Sequence, residues 1–254
     1  MTTRYATKAF VFSKKDVNES DRSFSVFTDD FGRLDIFAKA IRKNASKLRS
    51  GIDIFFMSDI EFVQGKRKKT LTDATVIEKF RNISQDTERF KIANKIGDVL
   101  DNFIKGEEKD EGLFNLLSEI FCKLDDCNLN IRKSFLLYYY FLWNAFSLLG
   151  YRPEVQKCNI CRGKINPFNI YFSYKLGGTV CDGCAGSEKS ECPEGVPSGS
   201  RRINSDIVKI VRLILEKDWQ TISKLKIEPS SQELLQKVSD DYYSYVLPGR
   251  SFKN

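Results

Sequence analysis

The sequence predicts an α+β protein: an N-terminal β-barrel, then an α-helical domain carrying an inserted four-cysteine module. Three observations carry that expectation. Apolar residues alternate with period two through the first 80 residues. They recur with period 3.6 from Phe90 onward. Two Cys-x-x-Cys pairs stand 19 residues apart inside the helical part. The expected division is a barrel over 1–80, a first helical part over 81–152, the cysteine insertion with a polar loop over 153–201, and a second helical part over 202–254.

Five segments of the barrel are rich in Val, Ile, Phe and Thr: RYATKAFVFS, RSFSVFT, GRLDIFAK, IDIFFMSDIEFV and TLTDATVIEKF. Phe24 and Val26 alternate, as do Leu34, Ile36 and Ala38, and Ile52, Ile54, Phe56, Ile60 and Phe62. Asp29-Asp30-Phe31-Gly32 between two of these runs signals a hairpin. Five strands in a small basic domain fit an oligonucleotide-binding (OB) barrel, and periodicity alone also permits an SH3-like barrel.

Beyond Phe80 the pattern turns helical. Phe90, Ala93, Ile96, Leu100, Phe103 and Ile104 share one face, and Leu113, Leu116, Leu117, Ile120, Phe121 and Leu124 share another. Gly106 and Gly112, with five charged residues between them, mark the connecting loop. Ile131 to Leu149 is apolar nearly all round, as a central bundle helix would be, and Gly150 and Pro153 stop it. Its most apolar part, Phe135 to Gly150, is too short to span a bilayer and contains Asn144. Gly186 to Ser200 is a polar Gly/Pro/Ser loop. Ile207, Ile210, Val211, Ile214 and Leu215 resume a helix, and a last one is expected from Ser230 with Glu233 completing a capping box.

A Cys-x-x-Cys turn points two thiolates at one place, and two such turns complete a tetrahedron around Zn²⁺. Cys158, Cys161, Cys181 and Cys184 are the expected ligands, with Gly163, Gly177, Gly178 and Gly183 supplying tight backbone. Reduced free cysteines or a redox pair would explain one Cys-x-x-Cys better than two at this spacing. Four thiolates leave no open coordination position, so the expected Zn²⁺ is structural, one per chain, holding a short insertion that cannot build its own core. Lys157, Arg162 and Lys164 partly offset its negative charge. Cys122 and Cys127 read as buried or loop thiols, and Cys192 has no assigned role.

Composition narrows the function. The 254 residues are 41% hydrophobic and 30% charged, which marks a soluble globular protein. The start, MTTRYATKAFVFSKKD, has neither the apolar run nor the cleavage site of a secretory signal, so the expectation is a reducing, cytoplasmic location with no membrane partner. There is no histidine, which removes His-based triads and His-ligated catalytic metals, and neither a phosphate loop nor a dinucleotide fingerprint is present. A binding protein is favoured over an enzyme.

The net charge of +7 is concentrated. Ala38 to Thr70 holds Lys39, Arg42, Lys43, Lys47, Arg49, Lys66, Arg67, Lys68 and Lys69 against three acids, a local net of +6. A solubilising surface explains one basic run, but two runs in one small barrel point to an anionic polymer, with these nine side chains as the DNA-binding candidates. Phe37, Phe55 and Met57 fall on the opposite strand parity from the main apolar set. They offer either a stacking platform for bases or a surface that docks on the helices.

Several stretches together resemble the bacterial recombination-mediator family RecO. They are Glu19-Ser20-Asp21-Arg22 before the second strand, Thr28-Asp29-Asp30-Phe31-Gly32 in the hairpin, Ala38-Lys39-Ala40-Ile41-Arg42, Ser46-Lys47-Leu48, and Gly177-Gly178 before the second cysteine pair. The similarity covers the whole chain. Ala40-Ile41 departs from the Gly-Ala usual in the family, and Asn44 and Ala45 interrupt the basic tract. The resemblance implies a non-enzymatic DNA repair and recombination mediator of the RecF pathway. Such a protein binds single- and double-stranded DNA, anneals complementary strands, and works with RecR and the C-terminal tail of SSB to load RecA on SSB-coated DNA. It would be cytoplasmic and nucleoid-associated. Two other classes stay open: a zinc-containing nucleic-acid enzyme, and a scaffold that touches no DNA. Asp29-Asp30, Asp125-Asp126 and Asp240-Asp241, the adjacent acid pairs, read as turn or helix-end surface acids.

Overall fold

A computed structural model describes residues 3–185 and 199–247. Cys192 and most of the expected Gly186–Ser200 loop lie outside the described residues. The chain divides into two compact units, Met1–Tyr138 and Tyr139–Asn254, described in turn.

The first unit opens with β1 (Arg4–Asp16), β2 (Arg22–Thr28), β3 (Gly32–Ala38), β4 (Met57–Gln64) and β5 (Lys69–Glu78). β1 is long enough to serve two neighbours. Its first half pairs with β4, from Arg4↔Val63 to Phe10↔Met57, and its second half with β2, from Ala9↔Thr28 to Asp16↔Arg22. A parallel contact between β3 and β5, Ile36↔Lys69 and Phe37↔Thr70, completes a closed barrel in the order β1-β2-β3-β5-β4. The alternation read from sequence fills it: Val11, Phe24, Val26, Leu34, Ile36, Ile60 and Phe62 are buried inside, each stabilising by roughly 1.5–3 kcal/mol. The Asp29–Gly32 hairpin forms as expected. Gly32 takes φ +62, and the Thr28 hydroxyl donates to the Gly32 carbonyl at 2.9 Å.

The fourth strand is shorter than expected. Ile52 to Phe56 form a turn, because Phe55 adopts φ +60 and its N–H donates to the Val11 carbonyl at 2.7 Å. This turns the Phe55 ring away from the barrel interior. It packs edge-on against Phe90 at 5.4 Å and tilted on Phe121 at 5.9 Å. Phe10 joins them, 4.1 Å from Phe121. Of the two roles open to Phe55, docking on the helices is the observed one.

The helices of this unit are α1 (Arg81–Gln85), α2 (Thr87–Phe103) and α3 (Glu111–Asp125). Asp86 and Asp110 cap the last two by accepting from the N–H groups of Arg89 and Leu113. Buried Arg89 donates to the carbonyls of Leu124 and Asp126, satisfying the end of α3. Gly112 lies within the first turn of α3, so the loop is confined to Ile104–Asp110. After a 3-10 turn (Ile131–Lys133) comes α4 (Phe135–Leu148), where every residue from Leu136 to Phe146 is buried. No described helix is long and apolar enough to cross a membrane.

The second unit, beyond α4, contains a sheet of β6 (Ile170–Ser173), β7 (Gly178–Cys181) and β8 (Ser200–Ile203), in the order β7-β6-β8. Around it stand α5 (Asp182–Ala185), α6 (Ser205–Leu215), α7 (Trp219–Lys224) and α8 (Pro229–Val246). Trp143 stacks on Tyr242 at 5.4 Å and donates its indole N–H to Ser239 at 3.0 Å. Buried Asn144 donates to the carbonyls of Tyr140 and Ile214, which explains how a polar residue survives in so apolar a helix. The expected capping box at Ser230 does not form. Pro229, which has no N–H and a preset φ, opens α8 one residue earlier, and Glu233 pairs with Lys237 at 2.5 Å. Asp240 and Asp241 therefore sit inside α8 rather than at its end, with Asp241 accepting from Tyr174 and Arg201 at 2.7 Å.

Candidate metal centre and nucleic-acid interface

The four-cysteine cluster is built on a turn and a strand end. Cys158 donates its N–H to the Gly163 carbonyl, Arg162 donates to the Cys158 carbonyl at 2.9 Å, and Lys157 bridges to Lys164. This folds Cys158 and Cys161 over one point. The strained residue of the turn is Arg162, at φ +60, and not Gly163. Cys181 ends β7 and Cys184 follows in α5. Backbone bonds stitch the first pair to the second: Asn159 N–H to the Thr179 carbonyl at 2.9 Å, and Thr179 N–H to the Glu154 carbonyl at 2.8 Å. Gly178 is required here, since a Cβ would lie 2.2 Å from the Glu154 carbonyl oxygen. Gly183 has nothing within 4 Å of that position, so its expected backbone role is not seen.

The four sulfurs lie within 4.8 Å of one another. Cys161 and Cys181 Sγ are 3.8 Å apart; a tetrahedron with Zn–S bonds of ~2.3 Å has edges of about 3.8 Å. The N–H groups of Ile160 and Cys181 point at Cys158 Sγ from 3.4 Å. Burial opposes charge on this sulfur, but the surrounding N–H groups outweigh it and lower its pKa to about 6. At Cys184, burial and the other three sulfurs push the pKa up to about 12. A cluster that favours one thiolate and disfavours the next needs a cation to ionise all four. The residues present can hold a metal ion, and an all-sulfur donor set suits a soft one.

The basic candidates lie on two loops of the barrel. Lys39, Arg42, Lys43, Lys47 and Arg49 are exposed on the β3–β4 connection, and Lys66, Arg67 and Lys68 on the β4–β5 hairpin. Lys43, Lys47, Arg49, Lys66 and Arg67 have no ion pair among the described residues. Arg42 pairs with Asp16 at 3.4 Å and Lys69 with Glu107 at 2.5 Å. The β1–β2 loop, which the sequence did not place beside the basic residues, is bonded to the first of these loops and faces the second across a groove. Asp21 accepts from the Ala40 N–H at 2.7 Å, Ser20 accepts from the Arg42 N–H, and the Asn18 carbonyl accepts from the Arg42 guanidinium at 3.0 Å. On its other side, Val17 lines a groove with Gln64, Arg67 and Lys68. The Ala40 N–H and the Asn18 amide hold the Asp21 carboxyl below its ordinary range.

A family model described as Recombination protein O N terminal matches residues 1–80, and one described as Recombination protein O C terminal matches residues 84–254. The chain belongs to the Recombination protein O family. Among the RecO relatives, the DNA repair protein RecO of Dehalococcoides mccartyi (strain ATCC BAA-2266 / KCTC 15142 / 195) is 30% identical over 88% of this chain and 83% of its own length. The DNA repair protein RecO of Alkaliphilus metalliredigens (strain QYMF) is 28% identical over 98% of this chain and 96% of its own length. That of Caldanaerobacter subterraneus subsp. tengcongensis is 24% identical over 93% and 90%. The geometry also gives the RecO-like sequence stretches a physical reason. Asp21 of the first is bonded to Ala40 of the third, so two motifs distant in sequence form one loop pair. Ala40 stands at φ +54, so the position where the resemblance expects glycine does require the left-handed region.

Proposed function

We propose that this protein is a DNA repair and recombination mediator that binds single- and double-stranded DNA through the barrel loops and anneals complementary strands. Family membership supports the repair and recombination role. The observation that carries the DNA contact is the set of exposed cations on two loops, of which Lys43, Lys47, Arg49, Lys66 and Arg67 have no ion pair among the described residues and Arg42 has a single one, to Asp16 at 3.4 Å. Lys39, Arg42, Lys43, Lys47 and Arg49 are the main phosphate contacts, with Lys66, Arg67 and Lys68 secondary. Lys69 contributes least, because Glu107 holds it.

Two strands repel each other, and a protein offering several phosphate sites reduces that repulsion while base pairing supplies the free energy. No catalytic group is needed. Cys158, Cys161, Cys181 and Cys184 hold a structural Zn²⁺, which would fix the turn and the β7 end in place. The same reading has the protein act in the cytoplasm with RecR and the SSB tail, helping RecA load on SSB-coated strands.

The test is annealing of two complementary oligonucleotides coated with SSB, without nucleotide. The protein should accelerate pairing over the spontaneous rate. Replacing Arg42, Lys43 and Lys47 together by glutamine should weaken binding to unrelated sequences alike and flatten the log-log salt slope by about 2–3. An unchanged slope removes these residues from the interface.

A further inference from the structure

Phe37 faces outward from β3, because its neighbours Ile36 and Ala38 are committed to the barrel core. It stands across from Ser23 on β2 and Thr70 on β5. Unlike Phe55, it packs on no other ring among the described residues. The Lys68 ammonium lies over its ring, 4.2 Å from the centroid. A groove of about 360 Å³ opens beside it, walled by Val17 from the β1–β2 loop and by Gln64 and Lys68 from the β4–β5 hairpin. Arg33 also lines it and has a buried Nε with no acceptor among the described residues. The barrel core is complete without Phe37, so folding alone does not account for an aromatic at this place.

We propose that Phe37 is the floor of a slot that takes one unstacked nucleobase of single-stranded DNA. The inference rests on the DNA-binding reading above. Magnitudes favour the exchange. A cation over a ring at an exposed site is worth about two- to fivefold in an equilibrium, whereas a base stacked on an aromatic is worth roughly 5- to 150-fold in affinity. The base therefore displaces Lys68, whose ammonium is freed for the neighbouring phosphate. Duplex bases are already stacked and cannot enter. The slot thus separates substrate from product. Once two strands pair, the base withdraws from Phe37, only phosphate contacts remain, and the duplex is released faster than its strands.

The experiment titrates oligothymidylate and a duplex of equal length with the unaltered protein and with Phe37→Leu, across a salt series. Single-strand affinity should fall about 5- to 50-fold, duplex affinity should stay within about twofold, and both salt slopes should be unchanged. Equal losses on both forms, or no loss on either, overturn the slot. In parallel, 5-iodouracil-substituted oligothymidylate is photocrosslinked to the unaltered protein. An adduct on Phe37 is expected, and adducts only elsewhere overturn the proposal even if Phe37→Leu fails to fold. If the unaltered protein binds neither form, the DNA-binding reading falls as well. If it binds both and Phe37→Leu matches it, the slot alone falls.

Discussion

Ala40 is an alanine in a conformation that suits glycine. Its φ of +54 is imposed from outside, by the Asp21 carboxylate that accepts its N–H and by Arg42 two residues on, which is bonded to the same β1–β2 loop. A left-handed residue with a Cβ costs roughly 1–2 kcal/mol, part of which glycine returns through its freer unfolded chain. Ala40→Gly should therefore stabilise the protein by about 0.5–1 kcal/mol and raise its melting temperature by about 1–4 °C, read by thermal unfolding. A loss of stability would show that the bonds to the β1–β2 loop do not impose this backbone. The charged candidates were legible in the sequence because charge is a property of the residue itself. Asn18, Ser20 and Asp21 were not singled out as partners of the basic loop. Ser20 and Asp21 stood out only as part of a RecO-like stretch, and their bonds to the basic loop appear once the fold brings the β1–β2 loop beside Ala40.

The loop between α2 and α3 is the acidic counterpart of the basic loops. Its Glu107 holds Lys69 at 2.5 Å, its Lys109 reaches Asp30 at 3.9 Å, and its Glu108 backbone presses on Gly32, where a Cβ would lie 2.1 Å from the Glu108 carbonyl oxygen. The loop thus places a carboxylate beside the groove that runs past Phe37. Glu107→Gln frees Lys69, and DNA affinity should rise about two- to fivefold at low salt with a salt slope steeper by about one. Unchanged binding would place Lys69 outside the interface. Elements with strong period were legible: β2, β3, α2, α3, α4 and α6 fall close to where their apolar spacing puts them. The start of β4 was not, because the turn at Phe55 continues an apolar run without a Gly or Pro to mark it. Strands β6 to β8 escaped notice for another reason. Each has four residues, too few for alternation to stand out, and their pairing depends on the cysteine turn beside them.

At the scale of the molecule, the cation-rich loops belong to one compact unit and the cysteine cluster to the other. On the reading that the four cysteines hold a metal, a strong chelator should expose amide hydrogens over 154–164 and in β7 while β1 to β5 keep their protection, read by hydrogen exchange. Double-strand binding should survive. Loss of protection throughout the barrel would show that the cluster supports both units. The order of barrel, helices and four-cysteine insertion was legible because each has its own residue signature, whereas the grouping of α2 and α3 with the barrel was not. That grouping rests on Phe10, Phe55, Phe90 and Phe121 meeting in space, which no spacing along the chain announces. One further consequence lies in how the barrel is shut. Its antiparallel junctions have seven or eight register pairs each, and the β3–β5 junction has two. Mechanically this is a hoop with one short lap joint. When it breathes it parts there first, baring two strand edges of the kind that recruit other chains. Phe37 and Thr70 are the last rivets of that joint, so a strand of DNA lying over Phe37 and Lys68 would splint the hoop at its weakest point.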